Sequence, residues 1–248
     1  MKTSFLLFIV ALLPVVLSAL IYLAERTKTV RKIPYAARQI ITGILFGGLA
    51  IIGTEFGIKT DGAIINARDA SPLCAGLLFG APAGIIAGVI GGVERWLAAY
   101  WGVGEYTRLA CSVSTVLAGV FAAVLRKYMF DNKKPKWYYC LATAAITEVI
   151  HMLMIFLTNM TDAKTAFSFV RACSLPMIAV NSLAVMLAGL LLTVLSGAER
   201  KNVRHELKNI SQSFQRFLLI CVMAGFLMTT VFTCRQSLRK TRQTSFLS

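Results

Sequence analysis

The chain has 248 residues, 57% of them hydrophobic and only 15% charged, with a formal net charge of +15. An ordinary soluble domain carries about a quarter charged residues. Here the charges gather in short clusters between long apolar runs, and the mean hydropathy is +0.70, which excludes a soluble globular domain. A nucleic-acid binder would carry a basic stripe on a polar face; these Lys and Arg instead punctuate apolar runs, as loops facing an anionic cytoplasmic leaflet do.

A helical span needs about 20 apolar residues to cross the hydrocarbon. Residues 5–24 form the first such run. No basic stretch of note precedes it and no small-residue cleavage site follows it, so it reads as a retained span. A basic loop covers 25–38. The second run is 39–56, with Glu55 near its end, and a polar stretch over 57–70 holds Asn66, Arg68 and Asp69. Residues 71–101 are too long for one simple span and contain Pro82, which predicts a break near Gly80–Ala81. The remaining runs are 107–125, 137–157, 170–195 and 214–233, with a strongly basic loop at 126–136, a nearly neutral one at 158–169, and a charged, helix-compatible segment at 197–213. The predicted fold is all-α: a polytopic membrane helix bundle of six or seven spans, with a Pro-broken or re-entrant segment within 71–101.

Positive-inside bias places 25–38, 126–136 and 197–213 in the cytoplasm. An even number of crossings must then separate the first two loops, which three ordinary spans violate. Splitting 71–101 at Pro82, or making it re-entrant, restores parity. The basic tail then falls outside, against the same rule.

Gly76, Gly80, Gly84, Gly88 and Gly92 recur every four residues, a spacing that on a helix makes a ridge without Cβ atoms. Helix packing or hinging is the expected role of these glycines and of Pro82 and Pro176. A cavity wall is the alternative. Ionisable residues at membrane depth are candidates for function: Glu55, Glu94, Arg95, Glu148 and His151. Glu94 and Arg95 suit either an interface or a site. Glu148 and His151, three residues apart, share a helical face, where they suit proton gating, ligand binding or a bond between helices. Asn181 follows Pro176 and is placed to bond across helices. Arg68, beside Asn66, suits an anionic group or a helix cap. The six cysteines form no CxxC pair, so neither a zinc site nor a disulfide framework is expected. No metal, cofactor or catalytic residue is expected, and no nucleophile–base–orienter set stands out. His205 sits in a stretch only superficially like a phospho-acceptor box.

The segments Asn66-Ala67-Arg68, 75–84 and Gly92-Val93-Glu94-Arg95-Trp96, followed by 148–153 and 175–182, resemble the LytS/YhcK-type five-transmembrane receptor region (5TMR-LYT) in content and order. The resemblance covers roughly residues 30–197. It implies the sensor region of bacterial plasma-membrane histidine kinases, two-component signalling with a link to cell-wall regulation, a homodimer, and a separate kinase or response partner, because no output domain follows here. On this reading 1–29 is a first span with the start of a basic loop, 30–197 the receptor domain, 198–213 a cytoplasmic juxtamembrane segment, 214–234 a last span and 235–248 a basic tail. The odd composition from Cys234 onward favours a frameshift. The alternative functions are a small-molecule carrier or transporter subunit, which broken helices and midplane polar groups also suit, and, more weakly, an intramembrane enzyme.

Overall fold

A computed structural model of the protein describes residues 2–60, 63–101 and 104–196. The juxtamembrane segment, last span and tail read from the sequence lie outside these residues. The chain runs through α1 (Lys2–Glu25), a short α2 (Lys28–Arg31), α3 (Tyr35–Glu55), strands β1 (Ile58–Thr60) and β2 (Ala63–Ile65), α4 (Ala70–Cys74), a π-helical turn Ala75–Phe79, then α5 (Ala81–Ala98), α6 (Arg108–Tyr128), α7 (Trp137–Thr158) and α8 (Ala163–Ser196). Five helical stretches are long and apolar enough to cross a membrane: Leu6–Glu25, Tyr35–Glu55, Arg108–Tyr128, Trp137–Thr158 and Met160–Ser196. α5, with 18 residues, reaches ~27 Å at 1.5 Å per residue. Large apolar side chains such as Phe8, Ile44, Val93 and Val194 point outward, while Ala, Gly and polar residues fill the interior. In lipid, association rests on close backbone packing and interhelical hydrogen bonds, so this distribution is the one a membrane bundle needs.

Two local features depart from the simple helical reading. The polar stretch after α3 forms an antiparallel hairpin that pairs Ile58 with Ile65 and Lys59 with Ile64. Strands of three residues carry no readable alternation. α8 begins at Ala163, well before the apolar run at 170, because the Asp162 carboxylate accepts the Thr165 N–H at 3.2 Å and caps the first turn.

The region 71–101 is split at Gly80. The π turn closes with the Gly80 N–H donating to Ala75 O, and Gly80 adopts an extended backbone that ends one helix and starts the next. Pro82 lies in the first turn of α5, where its missing N–H costs nothing. It therefore starts a helix rather than kinking one. Gln39 of α3 spans the break: its Nε2 donates to Phe79 O at 3.2 Å and its Oε1 accepts the Ala83 N–H at 3.3 Å. A Cβ on Gly80 would collide with that Gln39 amide. Gly76 thus precedes the break and Gly80 forms it, so only Gly84, Gly88 and Gly92 of the four-residue repeat share α5.

Close approaches fix the helix directions. Gly43 meets Ile86, Gly47 meets Ile90, and Gly91 meets Ala50, so α3 and α5 run parallel. The chain must return between them. Residues 66–79 make that return, from Arg68 against Gly53 to Gly80 against Gln39. Gly84 meets Gly119 and Gly92 meets Ser112, so α5 and α6 are antiparallel. α3, the 66–79 return, α5 and α6 therefore make an even number of passes between the two basic loops. Contacts at one end agree: Lys134 Nζ sits 4.3 Å from the Tyr22 ring, and Arg26 Nη1 donates to Leu195 O at 3.5 Å. By positive-inside bias this end is cytoplasmic.

Candidate functional site

Toward the opposite end, the start of the 66–79 return meets α6, α7 and α8 in a sealed polar cluster. Arg68, Asp69, Thr115, Glu148, His151 and Asn181 are all fully buried. Asp69 is the hub. Its Oδ1 accepts from Arg68 Nε at 3.2 Å and from Thr115 Oγ1 at 2.7 Å. Its Oδ2 lies 2.9 Å from His151 Nδ1. A carboxylate can only accept, so His151 carries a proton on Nδ1, and in the neutral ring Nε2 is the acceptor. Nε2 stands 3.3 Å from Cys111 Sγ. Arg68 also donates from Nη2 to Cys111 O at 3.4 Å, and Arg95 of α5 lies beside the same thiol.

Burying ions costs several kcal/mol each unless they are paired, and Asp69 supplies the pairing for Arg68. Glu148 is less well served. Its oxygens lack hydrogen-bond partners, and Oε2 is 3.7 Å from His151 Nδ1.

Asn181 locks α8 to the start of the return segment. Its Oδ1 accepts the Ala70 N–H at 2.9 Å, and its Nδ2 donates to Asn66 O at 3.1 Å. Asn66 in turn accepts the Arg68 N–H at 3.3 Å. α8 continues through Pro176 as one helix. Asn181→Ala is expected to cost about 2–6 kcal/mol, because two buried backbone groups lose their partners at about 1–3 kcal/mol each. Asn181→Asp keeps the acceptor for Ala70 but sets a carboxylate oxygen against Asn66 O and Met177 O in a buried site, so it should lose at least as much. Thermal melting of the two variants in one detergent checks the order.

Of the sequence candidates, Asn66, Arg68, Glu148, His151 and Asn181 come together here. Arg95 approaches the cluster at Cys111, and its Nη2 donates to Gly104 O at 2.9 Å. Glu94 lies on the neighbouring face near Thr54 and Arg68, its oxygens without hydrogen-bond partners. Glu55 is exposed and accepts from Trp101 Nε1 at 3.3 Å, at the rim. Asp69, Cys111 and Thr115 were not among the sequence candidates. The signal for Asp69 was the need of a membrane-depth Arg68 for a counter-ion; Cys111 and Thr115 gave none. Ligand atoms of Asp69, Glu148 and His151 lie within 4.8 Å of one another, near enough to admit a cation. However, Asp69 is already committed to Arg68, Thr115 and His151, and the adjacent guanidinium would repel a dication. The set fits an internal hydrogen-bond network better than a metal centre.

The family model described as "5TMR of 5TMR-LYT" matches residues 21–194. The chain belongs to this receptor family. Among curated proteins, the 5TMR-LYT chain is 25% identical over 164 residues to the sensor histidine kinase YpdA of Escherichia coli (strain K12), covering 66% of this chain and 28% of that one. It is 27% identical over 147 residues to the sensor histidine kinase BtsS of the same strain, covering 58% and 25%. It is 31% identical over 147 residues to the sensor protein LytS of Bacillus cereus, covering 57% and 23%. The 5TMR-LYT chain thus spans about a quarter of the length of these relatives. No solved structure matches it. Family and helices together make it a multi-pass protein of the bacterial inner membrane and a membrane sensor region of the two-component type.

Proposed function

We propose that the sensor receives its signal at the buried cluster around Arg68 and Arg95, that the signal is a small anion, and that α8 carries the response to the cytoplasmic face. One observation carries the reading: Arg68 Nη1 and Arg95 Nη1 are buried N–H groups without hydrogen-bond partners. Each such group costs about 1–3 kcal/mol, more when charged, and a bound carboxylate or phosphate would satisfy both. Ser112 and Ser114 add unpartnered hydroxyls on α6. A ligand shifts an equilibrium only if it binds two states differently. Asn181 supplies the means here, since any displacement of Asn66–Ala70 pulls on α8, which leads at Ser196 into the charged 197–213 sequence. A homodimer, a separate kinase or response partner, and cell-wall regulation as the process served complete the reading.

The competing function is a carrier. It requires transfer of the bound anion across the bilayer, whereas a sensor requires only binding. Radiolabelled two- to four-carbon carboxylates and inorganic phosphate should bind the reconstituted chain without accumulating inside proteoliposomes. Accumulation that depends on Arg68 would make the protein a transporter instead.

A further inference from the structure

The cluster holds a second chemistry that anion binding does not use. Cys111 Sγ, His151 Nε2, His151 Nδ1 and Asp69 Oδ2 stand in line at 3.3 and 2.9 Å. That is the order nucleophile, base, orienter. Asp69 fixes the imidazole tautomer, and Thr115 and Arg68 fix Asp69. We propose that Cys111 is a reactive thiol activated by His151 and Asp69, and that a small hydroperoxide oxidises it to a sulfenic acid. The inference concerns the same site but stands whether or not an anion is the physiological signal.

The oxidant class follows from access and from the groups around the sulfur. Cys111 is only 6% exposed, so bulky disulfides are too large to reach it, whereas a hydroperoxide is no larger than the small anions proposed for the same cluster. The step balances without another reactant. The Sγ–H proton passes to His151 Nε2 as sulfur attacks the nearer peroxide oxygen. The O–O bond breaks, and the leaving oxygen takes that proton to depart as water, or as an alcohol from an organic peroxide. Sulfur is oxidised and the peroxide reduced. Unpartnered N–H groups on buried Arg68 and Arg95 are placed to stabilise the departing oxygen. A thiol set among basic groups is the kind that enters the reversible first step of cysteine oxidation.

Cys74 and Cys140 serve as internal controls. Both are fully buried, and the hydrogen bonds of the described residues give neither thiol a histidine or arginine partner. The full chain in lipid nanodiscs is exposed to hydrogen peroxide for timed intervals and quenched into denaturant containing dimedone. Adducts at each cysteine are then quantified by peptide mass spectrometry. Cys111 is expected to be trapped at least tenfold faster than Cys74 or Cys140, and His151→Gln should bring it down to their rate. Labelling of Cys111 no faster than the two controls in the unmutated chain would overturn the proposal, whatever the variant does. So would an unchanged rate in His151→Gln whose melting shows it folded.

Discussion

Asp69→Ala is expected to destabilise the bundle by about 3–5 kcal/mol, the range for removing one member of a buried ion pair. The substitution strands Arg68 as an uncompensated buried charge and takes away the acceptor used by Thr115 and His151. The loss should be partly repaired by removing the charge left behind. Asp69→Leu combined with Arg68→Met is expected to melt well above Asp69→Leu alone, because replacing both partners by apolar groups avoids the stranded ion. Thermal unfolding followed by tryptophan fluorescence in one detergent gives the full cycle. Equal melting of the double and single variants would mean that Arg68 is not held chiefly by Asp69.

Gly119→Leu is expected to separate α5 from α6 and to cost about 3 kcal/mol, the upper end of overpacking penalties. A Cβ at this position would meet the backbone of Gly84 and the Gly88 Cα at 3.2 Å. Backbone cannot swing aside as a side chain would, so the helices themselves must move. Gly48 is the matched control, since nothing lies within 4 Å of a Cβ built there. Gly48→Ala should leave the melting point unchanged or raise it, as alanine is better than glycine in a helix by about 0.8–1 kcal/mol. A folded yield of Gly119→Leu equal to that of Gly48→Ala would contradict the α5–α6 packing.

The spans were legible because lipid imposes a local rule: about 20 apolar residues per crossing, whatever lies elsewhere in the chain. The break at Gly80 was legible through Pro82 and the charge parity of the loops. Its cause was only half legible, since the Gln39 clamp joins residues about 40 positions apart and leaves no pattern in either segment. The same limit governed the site. Glu148 and His151 stand one helical turn apart and announce a shared face. Asp69 reads as one more polar residue before an apolar run until α6 and α7 bring Thr115 and His151 to it. Cys111 reads as a small hydrophobe until His151 is seen 3.3 Å away. Short strands such as β1 and β2 escape notice because three residues cannot display a period.

The reading of the cluster as a ligand site is tested most directly by a melting titration of the reconstituted chain with small carboxylates and phosphate, run beside Arg95→Gln. A ligand that binds only the folded state at 100 times its Kd adds about 2.7 kcal/mol. The expected result is a saturable rise in melting temperature for at least one of these anions, lost in Arg95→Gln. An equal rise in Arg95→Gln, or no rise with any of them, would contradict it.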